Sequence, residues 1–174
     1  AAENEVAVHV WYGSVEGLPD SYTWKAESNR NGTDLGYSVG TAGDVNGDGY
    51  DDIIVGAPYY NNNLNDEGAV YIWKGSKNTG LCQDDFGNAC LPYWLQEGNQ
   101  AADFFGSSVG TAGDVNGDGY ADVAVSGSSS VYLYLGSAAG LGSGAASWTA
   151  SGSSVTTAGD VNGDGYNDVL VAES

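Results

Sequence analysis

The hydrophobic residues of this chain occur in short runs separated by glycine and polar residues. One kind of run is β-branched, as in Ile53-Ile54-Val55, and it recurs at residues 123–125 and 169–171. A second kind alternates apolar and aromatic residues, as in Val70-Tyr71-Ile72-Trp73, and it recurs at residues 8–11 and 131–134. A third kind carries a tryptophan, at Trp24, Trp94 and Trp148. Short β-branched and aromatic runs between turn residues predict strands of an all-β protein.

A ten-residue segment, TAGDVNGDGY, occurs three times, at residues 41–50, 111–120 and 157–166. Such an internal repeat indicates a repeat architecture. Each copy lies between a strand that we call A and the β-branched strand B; the aromatic strand C and the tryptophan strand D follow. The chain therefore has the order C-D, A-B-C-D, A-B-C-D, A-B. Repeated four-stranded antiparallel sheets predict a β-propeller, with three blades per chain and one blade split between the termini.

The repeat also predicts the domain organisation. We expect one propeller domain or partial propeller over residues 1–174, with blade repeats at about 35–103, 104–152, and 153–174 completed by 1–34. Three blades are fewer than the roughly four to eight that propellers usually contain. Strand B at one end is in phase with strand C at the other, and unpaired edges favour strand addition. We therefore expect a head-to-tail homodimer with six blades; the alternative is a fragment of a longer seven-bladed propeller.

The loop between strands A and B has the composition of a cation site. In each copy, oxygen-bearing side chains stand at positions 1, 3, 5 and 9, a backbone carbonyl is available at position 7, and glycine occupies position 6. Calcium prefers six to eight oxygen ligands, whereas magnesium requires a tighter octahedron. Carboxylates gathered on one turn repel one another unless a cation offsets them. The loops predict three Ca²⁺ per chain, held by Asp44, Asn46, Asp48, Tyr50 and Asp52; by Asp114, Asn116, Asp118, Tyr120 and Asp122; and by Asp160, Asn162, Asp164, Tyr166 and Asp168.

An EF-hand is excluded by the residues that follow these ligands. An EF-hand requires a glutamate at position 12 and a helix after it. Position 12 is Val55, Val125 or Val171, each inside a β-branched run.

The loops and their flanking residues resemble a known repeat family. Phe105-Gly106 and Gly56-Ala57-Pro58 are similar to the two halves of the FG-GAP repeat, although Leu35-Gly36 and Ser126-Gly127 depart from it. This repeat is found in the propellers of integrin α subunits and in many bacterial and archaeal surface proteins. The resemblance implies a calcium-binding β-propeller that acts as an interaction or adhesion module.

The charge of the chain limits its partners. There are 23 Asp and Glu against 4 Lys and Arg, giving a formal net charge of -19. Such a chain repels phosphate backbones and anionic lipid, so we expect no nucleic-acid partner. Because no apolar run reaches about 18 residues, we also expect no membrane insertion.

The sequence favours binding over catalysis. The single histidine, His9, occupies the position that Tyr71 and Tyr132 hold in the other repeats. With one histidine and scattered serines, no nucleophile can be paired with a base. We therefore expect that the protein is not an enzyme.

The two cysteines indicate the compartment. Cys82 and Cys90 lie in one long connection, where a disulfide is expected, with two reduced thiols as the alternative. A disulfide implies an oxidising environment, so we expect a secreted or cell-surface protein. The Asn31-Gly32-Thr33 triplet is a glycosylation sequon whose use is left open.

One insertion breaks the repeat. Tyr59, Tyr60, Asn61 and Asn62 belong to an unusually long hairpin between strands B and C, and such loops commonly carry binding function. We predict that this hairpin contacts an unidentified protein or glycan ligand. The alternative is a carbohydrate-binding or carbohydrate-active propeller that presents Tyr59 and Tyr60 to a sugar.

Overall fold

A computed structural model describes residues 6–28, 32–77, 79–82 and 89–173 of the chain. In this part of the chain all regular structure is β, and no helix is long and apolar enough to cross a membrane. The strands are β1 (Ala7–Val10), β2 (Trp24–Glu27), β3 (Ser38–Gly43), β4 (Asp52–Ala57), β5 (Ala69–Trp73), β6 (Trp94–Glu97), β7 (Ser108–Gly113), β8 (Asp122–Ser126), β9 (Ser130–Tyr134), β10 (Trp148–Ser151), β11 (Ser154–Gly159) and β12 (Asp168–Ala172).

The strands form two complete blades and two half-blades. Strands β3 to β6 make one four-stranded antiparallel sheet in chain order, and β7 to β10 make another. Strands β1–β2 and β11–β12 form separate two-stranded sheets. The prediction of an all-β propeller fold built from four-stranded antiparallel blades is therefore confirmed. The two half-blades do not pair with each other among the described residues, so the split blade stays a prediction.

The repeats are equivalent in register as well as in order. Strand C pairs with strand D through Val10–Trp24 in the first half-blade, and the corresponding pairs are Ile72–Trp94 and Leu133–Trp148. Each A–B pair also shifts register at the same glycine, between Thr41 and Gly43 and at the matching positions of the other copies. Any one repeat therefore predicts the local geometry of the others.

The core lies between blades. Because successive side chains of a strand point to opposite faces, Ile54 packs toward the second complete blade, whereas Val55 packs toward the β1–β2 half-blade. Phe105 and Val123 join Ile54 in the first cluster, and Trp24 joins Val55 in the second. Each complete blade is thus buried on both faces, which is the packing of a propeller.

The glycines of the two motif halves meet at the boundary between the complete blades. A Cβ placed on Gly56 would lie 2.0 Å from the carbonyl oxygen of Gly106. Gly106 has a φ of 95°, and a Cβ there would lie 3.1 Å from the Cα of Gly56. The two backbones therefore approach more closely than a side chain on either residue allows.

Candidate metal centre

The three acidic loops share one backbone shape, set by glycines at positions 4 and 6. In the second loop Gly117 has a φ of 73° and Gly119 a φ of 91°, both in the left-handed region that favours glycine. The other two loops have the same pair of turns, at residues 47 and 49 and at residues 163 and 165. These turns bring the backbone amides of each loop toward its first aspartate.

The first aspartate of each loop collects those amides. Oδ1 of Asp114 accepts hydrogen bonds from the amides of Gly117 at 2.7 Å and Asp118 at 3.1 Å, and Oδ2 accepts from Gly119 at 2.8 Å. Asp160 makes the same three bonds in the third loop. The backbone hydrogen bond from Gly165 is the main cause that lowers the pKa of Asp160. These hydrogen bonds therefore favour the charged form of Asp160.

The aspartate at position 9 links the loop to the end of strand C. Oδ2 of Asp122 accepts the amide of Val115 at 2.9 Å, and Oδ1 accepts the amide of Gly136 at 2.8 Å. Asp52 makes the equivalent bonds to Val45 and Gly75. The sequence predicted these aspartates as metal ligands but did not predict their contact with the end of strand C. The glycine that follows each strand C is the sequence feature that could have indicated this contact.

Burial disfavours the charged form of the position-9 carboxylates Asp52 and Asp122. Asp52 and Asp122 have no exposed surface. Burial raises the pKa of both carboxyls; the two amide hydrogen bonds lower it, and the aspartates at positions 1 and 5 of the same loop raise it. A nearby cation would favour their charged form.

The loop side chains are arranged around the loop's own amides. Among the described residues, no three Asp, Glu, His or Cys side chains lie close enough together to bind one metal ion. Asp118 accepts the amide of Tyr120 at 3.0 Å, and Asn116 accepts the amide of Asp118 at the same distance. The available donors in all three loops are nevertheless carboxylate, amide and carbonyl oxygens, which is the ligand chemistry of Ca²⁺.

Neighbouring loops contact one another through position 7. The Tyr120 ring lies over Gly47, where a Cβ would be 2.6 Å from it, and the amide of Ala121 donates to the carbonyl of Asp44 at 3.0 Å. Tyr166 lies over Gly117 in the same way. The three loops thus form one continuous edge of the molecule.

The predicted ligand hairpin has one solvent-facing tyrosine. Tyr59 is exposed and makes edge-to-face contacts with Tyr37 and Phe104, with ring centroids 6.0 and 5.5 Å apart. Tyr60 is only 6% exposed and packs in the core, with its ring 6.4 Å from that of Tyr71. The sequence did not predict that Tyr37 and Phe104 meet Tyr59, because these residues come from three separate connections.

Side-chain oxygens of Glu67 and Asn61 link the parts of this hairpin through hydrogen bonds. Glu67 is buried and accepts the amides of Asn62 at 2.6 Å and Asn63 at 3.0 Å. The Asn61 side chain donates to the carbonyl of Tyr59 at 2.8 Å and accepts the amide of Asp66 at 2.6 Å. The asparagines therefore support the loop that presents Tyr59.

The predicted disulfide is confirmed. Cys82 and Cys90 are bonded, with 5.4 Å between their Cα atoms. The indole of Trp24 donates to the carbonyl of Cys82 at 3.0 Å, and that of Trp73 donates to the carbonyl of Cys90 at 2.9 Å. The disulfide loop is thereby tied to two blades. Asn31 lies outside the described residues.

Comparison with known proteins identifies the repeats. The FG-GAP repeat family matches residues 35–73, and the FG-GAP-like repeat family matches residues 114–171. The chain is 36% identical to integrin alpha-PS5 of Drosophila melanogaster over 105 residues, which are 59% of this chain and 10% of that protein. It is 36% identical to integrin alpha-3 of Cricetulus griseus over 118 residues, 63% of this chain and 10% of the relative. It is 42% identical to integrin alpha pat-2 of Caenorhabditis briggsae over 91 residues, 52% of this chain and 7% of the relative.

The chain therefore spans about a tenth of the length of these relatives. The two family matches together include all three acidic loops, and the relatives cover more than half of the chain. Residues 35–73 and 114–171 are therefore FG-GAP repeat regions, and this repeat region is similar to that of integrin α subunits.

Proposed function

We propose that this chain is a calcium-stabilised extracellular β-propeller module that binds a protein partner in adhesion. The observation that carries the proposal is the threefold recurrence of an all-oxygen loop whose ninth residue, in Asp52 and Asp122, is a fully buried carboxylate. Burial and the electrostatic effect of the aspartates at positions 1 and 5 both disfavour the charged form of this carboxylate, and a positive charge would offset them. Calcium supplies that charge when bound.

Each loop would hold one ion through its own five positions. In the second loop these are the side chains of Asp114, Asn116, Asp118 and Asp122 and the carbonyl of Tyr120. Coordination requires the carboxylate of Asp114 to share its oxygens between the ion and the loop amides. Three ions per chain would reduce the formal charge of -19 by six units and lower the repulsion between neighbouring loops.

The ligand-binding surface in this proposal is the aromatic patch of Tyr37, Tyr59 and Phe104. Exposed aromatic residues on rigid loops are typical of protein-binding surfaces, because they bury large area at low entropic cost. The disulfide supports an extracellular location. The activity is binding rather than catalysis.

A glycan is the second candidate ligand. Tyr37 and Tyr59 are both exposed, and aromatic faces of this kind can stack on sugar rings. A glycan array together with a hydrolysis assay separates a lectin or glycoside hydrolase from a protein-binding module.

The proposal also includes closure of the ring. The two half-blades would be completed by head-to-tail assembly of two copies into a six-bladed propeller. A place within a longer seven-bladed ring is the alternative, since integrin α subunits are far longer than this chain.

Calorimetric titration with Ca²⁺ tests the metal sites. We expect three sites in the unaltered chain and two after the combined change Asp44→Asn and Asp48→Asn, which replaces two charged ligands of one loop by neutral amides and so weakens that site. Asp51→Asn is the matched control, because Asp51 lies in the same loop at position 8 and should leave all three sites. Fewer than two sites in the unaltered chain, or a melting temperature unaffected by EDTA, would contradict the calcium proposal.

A further inference from the structure

The two ends of the described chain expose apolar residues whose repeat counterparts are buried. Val39 of β3 is 59% exposed, whereas Val155, at the same position of β11, is 4% exposed. Leu170 of β12 is 60% exposed, whereas its counterpart Ile54 is fully buried. The outer edges of β1 and β12 also pair with no other strand in the part of the chain that the structure describes.

We propose that these ends bind one another between two copies of the chain. The head surface comprises the β1 edge, Val39 and Ile53; the tail surface comprises the β12 edge, Leu170 and the third acidic loop. In each of two equivalent interfaces, β12 of one copy adds to β1 of the other and completes a four-stranded blade. The inference rests on the proposed propeller function and defines its self-association surface.

The register of this added strand follows from the complete blades. In them, Ile54 pairs with Ile72, and Ala124 pairs with Leu133. The corresponding residues of the half-blades are Leu170 and Val10. Because Val10 already pairs with Trp24 exactly where Ile72 pairs with Trp94, β1 has the geometry of an intact strand C. The antiparallel pairs across the interface are therefore Leu170–Val10, Val169–Trp11 and Ala172–Val8.

The head surface contains a groove for the incoming strands. A groove of about 440 Å³ runs along β1 and is floored by Val39, Ile53 and Val55. The equivalent space between the two complete blades is filled by buried core side chains, including Ile54. Leu170 faces the direction that Ile54 faces in its blade, so its side chain would enter this groove. Burial of Leu170 and Val39 against one another would supply the hydrophobic driving force.

The acidic loops at the two ends of the chain are also complementary to each other. Tyr120 lies over Gly47 and Tyr166 lies over Gly117, but no atom lies within 4 Å of a Cβ placed on Gly163. Tyr50 is the remaining tyrosine at this position, and it is partly exposed. The head-to-tail arrangement brings Tyr50 of one copy over Gly163 of the other, which repeats the internal contact.

The position-9 aspartate provides a third match. Asp52 and Asp122 each accept the amide of the glycine that follows strand C, Gly75 and Gly136. In the third loop Asp168 accepts the amide of Val161 at 2.9 Å. The glycine after β1 is Gly13, where a Cβ would meet nothing within 4 Å. The proposed pairing lets the amide of Gly13 donate to the second oxygen of Asp168 on the other copy.

An aromatic pair provides a fourth match. Two tryptophans of strand D meet the aromatic residue of the next blade edge to face, Trp24 with Trp73 at 5.4 Å and Trp94 with Tyr134 at 5.2 Å. Trp148 and Trp11 are the corresponding residues at the two ends, and both are exposed. The assembly places Trp148 of one copy against Trp11 of the other.

Charge works against this association. Two chains of net charge -19 repel each other, and acidic loops of the two copies come together at the interface. Bound calcium and added salt both reduce this repulsion. The dimer should therefore be tighter in Ca²⁺ and at higher ionic strength.

The mass of the full chain in solution tests the proposal. With Ca²⁺ we expect a particle of twice the 17.8 kDa chain mass, and Leu170→Asp should weaken association at least tenfold. Leu18→Asp is the matched control, because Leu18 is also an exposed leucine but lies outside both surfaces. A single-chain mass for the unaltered protein, a dimer that survives Leu170→Asp, or a loss caused equally by Leu18→Asp would overturn the proposal.

Cysteine cross-linking tests the register. Val10→Cys combined with Leu170→Cys should give covalent dimers on oxidation, because directly opposed residues lie within disulfide reach. Ala7→Cys combined with Leu170→Cys is displaced by three residues, about 10 Å, and should not. Equal cross-linking of the two pairs would overturn the assigned register.

Calcium titration of the Leu170→Asp chain separates this inference from the proposed function. Retained calcium sites in a single chain mean that only the self-association surface has been lost. A dimer without calcium sites would contradict the calcium proposal and leave the interface standing.

Discussion

The position-9 aspartate offers a quantitative test of how the repeat is held together. Asp122 is fully buried, and its two carboxylate oxygens accept the amides of Val115 and Gly136. Replacing it by alanine leaves both amides without their partner and disconnects the acidic loop from the end of β9. When unfolding is measured in EDTA, the change in stability reports on these hydrogen bonds and not on bound metal.

The magnitude follows from these two bonds. A hydrogen bond to a charged group contributes about 1.5–3 kcal/mol, so the pair contributes about 3–6 kcal/mol. Burial opposes this, because it raises the folded-state pKa of Asp122 and the cost of the charged form is fully present at neutral pH. We expect a net loss of about 3 kcal/mol in the free energy of unfolding. For a chain of this size the melting temperature should fall by about 6–12 °C.

Asp168→Ala is the matched control. Asp168 occupies the same position in the third repeat, but it is partly exposed and accepts only the Val161 amide among the described contacts. Replacing Asp168 by alanine should lower the free energy of unfolding by about 1 kcal/mol. Both changes are best measured by urea unfolding in the Leu170→Asp chain, where self-association does not contribute. Equal losses for Asp122→Ala and Asp168→Ala would refute the assignment of the second hydrogen bond.

Three further changes probe the contacts between blades. Phe105→Ala should lower the free energy of unfolding by about 3–5 kcal/mol, because the ring is buried between the complete blades; chemical denaturation measures this. Gly56→Ala should lower the melting temperature strongly, since the new Cβ meets a carbonyl at 2.0 Å. Gly110→Ala, in strand β7 with open space around the new Cβ, should leave the melting temperature unchanged or slightly higher. Reducing the Cys82–Cys90 disulfide should cost less than about 3 kcal/mol for so short a loop, and folded protein should persist in dithiothreitol.

Much of the architecture was predictable because it is local. The recurring order of strands A to D follows from short-range hydrophobic periodicity and from glycines near the strand ends, and the described residues contain those twelve strands. The disulfide was predictable because only two cysteines are present. The oxygen donors of the acidic loops are likewise a property of consecutive residues.

The tertiary structure decided which residues of the repeat are buried and which meet across blades. Adjacent tyrosines diverge, since Tyr60 enters the core while Tyr59 joins residues from two other connections. The buried bond from Gly136 to Asp122 spans two strands. Such contacts depend on how neighbouring sheets stack and on the paths of their connections, which no periodicity within one strand encodes. The repeating unit follows from consecutive residues, whereas the aromatic patch and the buried carboxylates follow from the packing of one unit against the next.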